Sequence, residues 1–147
     1  MTGPSHVYVT YIRCTPEALW TALTDPDWTV QYFHSTRIAS SFDEGAEVTY
    51  ALPDGSLAAE GVVIECDPPR RLCITWRALY DPVKAAERPS RVTFEIEPQG
   101  DVCRLTLLHD DFDGETETYK TISQGWAPIL CSLKTLLETG APMPMPA

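Results

Sequence analysis

The sequence predicts an α+β fold, a curved seven-stranded antiparallel sheet wrapped around one long C-terminal helix, with two short helices after the first strand. Three observations carry it. One strand-like run leads into a helix start at Thr15-Pro16-Glu17, six strand-like runs then follow one another between residues 35 and 109, and an apolar stripe at helical spacing fills residues 116–138. Successive hairpins make an antiparallel meander, and a single helix is left to cover its apolar face.

Residues 6–14, HVYVTYIRC, are rich in β-branched and aromatic side chains and read as the first strand. Thr15 suits an N-cap, Pro16 the first helical position, and Glu17 the positive end of the helix. Leu19, Trp20 and Leu23 mark the helix face, and Asp25-Pro26 is expected to stop it. A second helical turn is predicted over Trp28 to Phe33.

Strands are predicted at about 35–42, 46–52, 57–66, 71–80, 90–97 and 102–109, separated by Asp43-Glu44-Gly45, Pro53-Asp54-Gly55, Asp67-Pro68-Pro69, the longer DPVKAAERPS and Pro98-Gln99-Gly100-Asp101. The last element carries Tyr119, Ile122, Trp126, Ile129, Leu130, Leu133, Leu136 and Leu137 on one stripe and ends at Thr139-Gly140. Gly125 and Pro128 predict a kink or break near Trp126. This order of elements is the helix-grip arrangement, and a concave sheet around one helix leaves a cavity between them.

At 147 residues the chain is one ordinary domain, read as residues 1–140 with a Pro/Met-rich tail over 141–147. A domain of that length buries roughly 70% of the surface its unfolded chain exposes. The N-terminus has neither a basic region nor an uninterrupted apolar run, so a cytoplasmic location is expected. Five cysteines, Cys14, Cys66, Cys73, Cys103 and Cys131, are odd in number and form no CxxC pair. They are expected to be reduced, small, buried side chains. A formal net charge of −10 repels phosphate backbones and anionic lipid, so neither nucleic acid nor membrane is an expected partner.

Three strings resemble one family. TPEALWTALTDP lies near the start; CDPPRRLCITW, Cys66 to Trp76, looks like the hairpin between the fourth and fifth strands; GWAPILCSLKTLLETG, Gly125 to Gly140, looks like the C-terminal helix motif. Together they resemble the START-like (SRPBCC) superfamily, closest to its heat-shock-protein ATPase activator-like branch. The resemblance implies the helix-grip fold, and it admits a binding module, a co-chaperone-like interaction protein or a polyketide cyclase-like enzyme.

The acidic run HDDFDGETE, His109 to Glu117, fails as a calcium loop. With Gly114 at the invariant glycine, His109 falls on the first ligand position and Lys120 on the bidentate glutamate. Asp110, Asp111, Asp113, Glu115 and Glu117 instead solvate a loop and favour the helix start. His6, His34 and His109 have no metal-ligand spacing, and no metal or other cofactor is called for. No nucleophile elbow, phosphate loop or Ser/Cys-His set occurs, so no catalytic residue is assigned.

His109 continues the alternation Cys103, Leu105, Leu107 and so shares the apolar face; it is either the polar handle of a pocket or a cap on the strand end in water. Glu60, in the small apolar run LAAEGVVIE, faces inward in one register and solvent in the other. Leu72, Ile74, Trp76, Ala78 and Tyr80 share one strand face, matched by Val92, Phe94 and Ile96. The expected ligand is a small apolar or aromatic molecule between sheet and helix, with Tyr50, Trp76, Phe94, His109 and Trp126 as its binding residues. Hairpin parity gathers the loop 81–90, the turn 53–55 and the acidic segment at one rim. A homodimer or a chaperone partner are the further partners this reading admits.

Overall fold

Strand β1 (His6–Ile12) leads to Thr15, whose hydroxyl accepts the Ala18 amide at 3.1 Å and opens α1 (Pro16–Thr24) with proline in its first turn. Asp25 then serves two helices. Its N–H closes the last turn of α1 on the Thr21 carbonyl, and its carboxylate accepts the Asp27 amide at 2.8 Å to open α2 (Pro26–Tyr32). The predicted stop is also a start. The computed structural model that gives these elements describes residues 3–144.

The chain continues through β2 (Arg37–Ala39), β3 (Glu47–Ala51), β4 (Leu57–Asp67), β5 (Arg71–Ala78), α3 (Pro82–Ala85), β6 (Ser90–Gln99), β7 (Val102–Asp110) and α4 (Glu117–Thr139). All strands pair antiparallel in the order β1-β7-β6-β5-β4-β3-β2, so the first strand closes onto the last and the meander fills the rest. β2 is shorter than the expected 35–42, because His34, Ser35 and Phe42 around it adopt left-handed φ of 51°, 59° and 62°. The long loop after β5 also contains a helical turn, α3, capped by Asp81.

Alternation sorts the sheet into two faces. Leu72, Ile74, Trp76 and Ala78 of β5, Val92, Phe94 and Ile96 of β6, and Cys103, Leu105, Leu107 and His109 of β7 are all buried toward the helix. The other face carries charge pairs that cross the strands, Arg77 with Glu60, Arg71 with Glu65 and Glu95, and Arg91 with Asp110. Such exposed pairs contribute little stability each. They do mark which face meets water.

Two irregularities bend the sheet. The register shifts between Tyr50 and Ala51 of β3 and between Val63 and Glu65 of β4. At Gly61 the neighbouring strand comes so close that a Cβ would lie 1.8 Å from the Thr75 carbonyl oxygen. The next amide, Val62, donates to the Thr75 hydroxyl at 2.8 Å. Only glycine fits there.

α4 packs Ile122, Trp126, Ile129, Leu130, Leu133 and Leu136 onto the sheet. Of the kink or break predicted near Trp126, the break does not occur, since α4 is continuous from Glu117 to Thr139 with Pro128 inside it. The hydrogen bond Pro128 cannot make belongs to the carbonyl of Gln124, an exposed residue that water can satisfy. All five cysteines are free, but only Cys73 and Cys103 are buried. Cys131 is exposed on α4, 3.8 Å from the Tyr8 hydroxyl, because the stripe that fixes the helix passes beside it. No helix of the described residues is long and apolar enough to cross a membrane. The tail after Gly140 is described to Pro144, where Ser132 donates to the Met143 carbonyl at 3.4 Å; residues 145–147 lie outside the described residues.

Candidate functional site

Three small residues open a space between sheet and helix. Ala59 and Ala78 face each other across the β4–β5 pairing, and Gly125 on α4 presents no side chain; a Cβ there would meet nothing within 4 Å. The pocket they border measures about 440 Å³, within the range typical of small-molecule sites. Phe33, Trp76, Ile122, Trp126 and Ile129 make its apolar walls. Leu52, Tyr80, Lys84 and Thr118 also line it, so the turn after β3, the loop after β5 and the start of α4 all border the same space.

Phe33 is held by a threonine clasp. The Thr29 hydroxyl donates to the Thr36 carbonyl at 3.0 Å and accepts the Ile38 amide at 3.1 Å, while the Thr36 hydroxyl donates to the Phe33 carbonyl at 2.6 Å. Both threonines are fully buried. Phe33 therefore closes the pocket from a fixed turn, edge-on to Trp126 at 5.6 Å.

Trp76 and Trp126 lie 5.3 Å apart, centroid to centroid, and a polar chain runs behind them. The Trp126 indole N–H donates to His109 Nδ1 at 3.0 Å, and His109 Nε2 lies 2.7 Å from the Ser90 hydroxyl, which is 3.3 Å from the Trp76 carbonyl. Indole only donates, so Nδ1 must accept and the imidazole proton sits on Nε2. Ser90 accepts that proton's bond and passes its own to the carbonyl. Phe112 stacks on the imidazole at 4.6 Å. Burial pushes the His109 pKa down from 6.5 to about 3, against the opposing pull of Asp110, so the ring is neutral.

Of the five residues read as ligand contacts, Trp76 and Trp126 line the pocket. Tyr50 and Phe94 stand one layer deeper, beside a gap of about 10 Å³ that is at the lower limit for one water molecule. Tyr50 stacks on Phe33 at 4.9 Å, and burial raises its phenol above the ordinary value. His109 is fully buried with both ring nitrogens engaged, so it is neither a pocket handle nor a cap in water. Trp126, to which it is hydrogen-bonded, borders the space, and His109 is not in the lining. Glu60 takes the outward register, opposite and paired with Arg77. Among the described residues no group of His, Cys, Asp and Glu is placed to hold a metal.

Sequence reasoning missed Phe33, Lys84 and the part small residues play in making room for the pocket. Alternation places Ala78 on the inward face of β5 and could have done the same for Ala59 in β4. Nothing in the pattern tells an inward alanine beside a void from one beside a larger neighbour.

The antiparallel sheet gripping a C-terminal helix defines a START-like, or SRPBCC, domain. A family model described as Activator of Hsp90 ATPase homolog 1-like protein matches residues 13–138. The chain belongs to that family. No protein with a curated description matches it. Among solved structures, it is similar to protein MLL2253 from Mesorhizobium loti at 24% identity and a TM-score of 0.76, over 91% of this chain and 96% of that one. It is also similar to the Aha1 dimer of Colwellia psychrerythraea, 19% identical with a TM-score of 0.74 over 93% and 98%. PFC0360w, an HSP90 activator from Plasmodium falciparum, is 18% identical with a TM-score of 0.73 over 92% and 96%. At these identities the likenesses show a common fold alone.

Proposed function

We propose that this domain binds a small, largely apolar or aromatic molecule in the pocket between β4–β5 and α4. The observation that carries this is the pocket of about 440 Å³, walled by Phe33, Trp76 and Trp126 and bordered by Ala59, Ala78 and Gly125. Trp76 and Trp126 meet the ligand, Tyr50 and Phe94 back them, and His109 holds Trp126 in place. Five free cysteines are in keeping with a cytoplasmic site of action. Neither Glu60 nor His109 offers the pocket an ionisable atom, which counts against the cyclase-like enzyme. Titration with a panel of flat apolar compounds should quench tryptophan fluorescence, and Ala78→Phe, which fills the space, should abolish the effect. Quenching that survives Ala78→Phe, or none from any compound, would remove the pocket from the account.

A second reading is an interaction protein, related to the Hsp90 activators or acting as a homodimer. It is favoured by Val7, Val9 and Tyr11, about half exposed in a row on the outer face of β1, together with the family assignment. Replacing all three by threonine should then lower Hsp90 ATPase stimulation or dissociate a dimer in light scattering. Unchanged behaviour in both assays would argue for the binding module alone.

A further inference from the structure

Lys84 is the one pocket side chain whose burial and charge are at odds. It keeps 8% of its accessible surface, lines the pocket, and gives its ammonium a single acceptor, the Tyr80 hydroxyl at 3.1 Å, with the Tyr80 ring centre 5.0 Å away. No carboxylate pairs with it among the described residues. The acidic residues of its own loop are committed elsewhere. Asp81 accepts the Val83 amide at 2.9 Å, and Glu87 accepts the Glu117 amide at 2.9 Å and the Thr118 hydroxyl at 2.6 Å. Thr118 thus points its proton at Glu87, and Thr121 donates to helix carbonyls at 3.1 and 3.3 Å. His34, the other basic residue of the lining, is exposed.

An ammonium has three protons to donate, so with one acceptor Lys84 keeps two for an anion that reaches it. The pocket offers apolar walls, with that ammonium among its lining. We propose that Lys84 receives an acid group, so that the occupant is an amphipathic carboxylate, its flat apolar body against Trp76 and Trp126 and its carboxylate on Lys84 Nζ. This rests on the pocket being a binding site and adds the chemical class of what binds there. Charge-assisted bonds to an ammonium are roughly twice as strong as neutral ones and so discriminate against a neutral isostere.

The test is calorimetric titration at neutral pH with 2-naphthoate and with 2-naphthamide, which share size and shape and differ in charge. Wild-type protein should bind the acid at least about tenfold more tightly than the amide. Lys84→Met keeps the buried stem and should erase that preference while changing amide affinity less than about threefold. Lys84→Gln serves if the methionine variant misfolds, and the wild-type ratio stands without either. Equal affinity of wild type for the two compounds, or a preference that persists in the variants, overturns the assignment of Lys84 and leaves the apolar pocket standing. Absence of binding by both compounds overturns the binding reading and this inference with it.

Discussion

Trp126 and His109 are joined by a 3.0 Å hydrogen bond from the indole N–H to Nδ1, and this one bond links α4 to the last strand. It also fixes the imidazole's protonation. A second proton would land on Nδ1, evict the indole and leave a charge in a dry interior.

Stability should therefore fall on acidification. The native pKa of His109, about 3, lies below its ordinary 6.5, so the unfolded chain takes up a proton that the folded one refuses. The contribution is complete above pH 6.5 and is lost as pH falls from 6.5 toward 3. Between pH 7 and pH 5 the loss should be on the order of 2 kcal/mol in urea denaturation. His109→Gln offers the indole an acceptor that does not titrate, and its stability should change less over that interval. Parallel pH profiles for the two proteins would contradict the assignment.

Phe94→Ala should cost about 3–5 kcal/mol, because the ring packs edge-on to Trp126 at 6.1 Å and borders only the small inner gap. A loss well below that range, read from the denaturation midpoint at constant m-value, would mean that the inner layer is looser than its packing implies.

Gly61→Ala should destabilise by about 1–3 kcal/mol or more, since the added Cβ must push the Thr75 carbonyl away and disturb the β4–β5 ladder. Thermal unfolding will read it. A neutral outcome would mean the two strands separate there at no cost.

Gly125→Ala works in the opposite direction. The position is helical, exposed and has open space around its Cβ, so the substitution should stabilise by about 0.5–1 kcal/mol through a less flexible unfolded chain. The pocket keeps most of its room, and ligand quenching should persist.

The order of elements was legible because it rests on local signals. Thr15-Pro16 and Asp25-Pro26 are cap chemistry, and the alternation through Cys103, Leu105, Leu107 and His109 states which face is buried. The continuity of α4 was not legible, because a proline inside a helix is tolerated or not according to whether water reaches the orphaned carbonyl. The candidate site was half legible for a similar reason. Alternation places Trp76, Phe94 and His109 on the inner face without saying how deep each stands, and depth separates a pocket wall from its backing. Lys84 was invisible in a connection read only as long, because the helical turn α3 that carries it was not predicted.

Glu87 lies thirty positions before the helix it caps. Its carboxylate holds the Glu117 amide and the Thr118 hydroxyl, and the same short stretch of loop carries Lys84. Moving that loop away from α4 would strip three donors of their acceptor together, since Glu87 also accepts the Thr118 amide at 3.4 Å. Separation of the two should therefore be an activated, local-unfolding event, slower than ordinary loop motion, with a rate that tracks hydrogen exchange at the Glu117 amide. The first turn of α4 and the loop after α3 are tied to each other through one carboxylate.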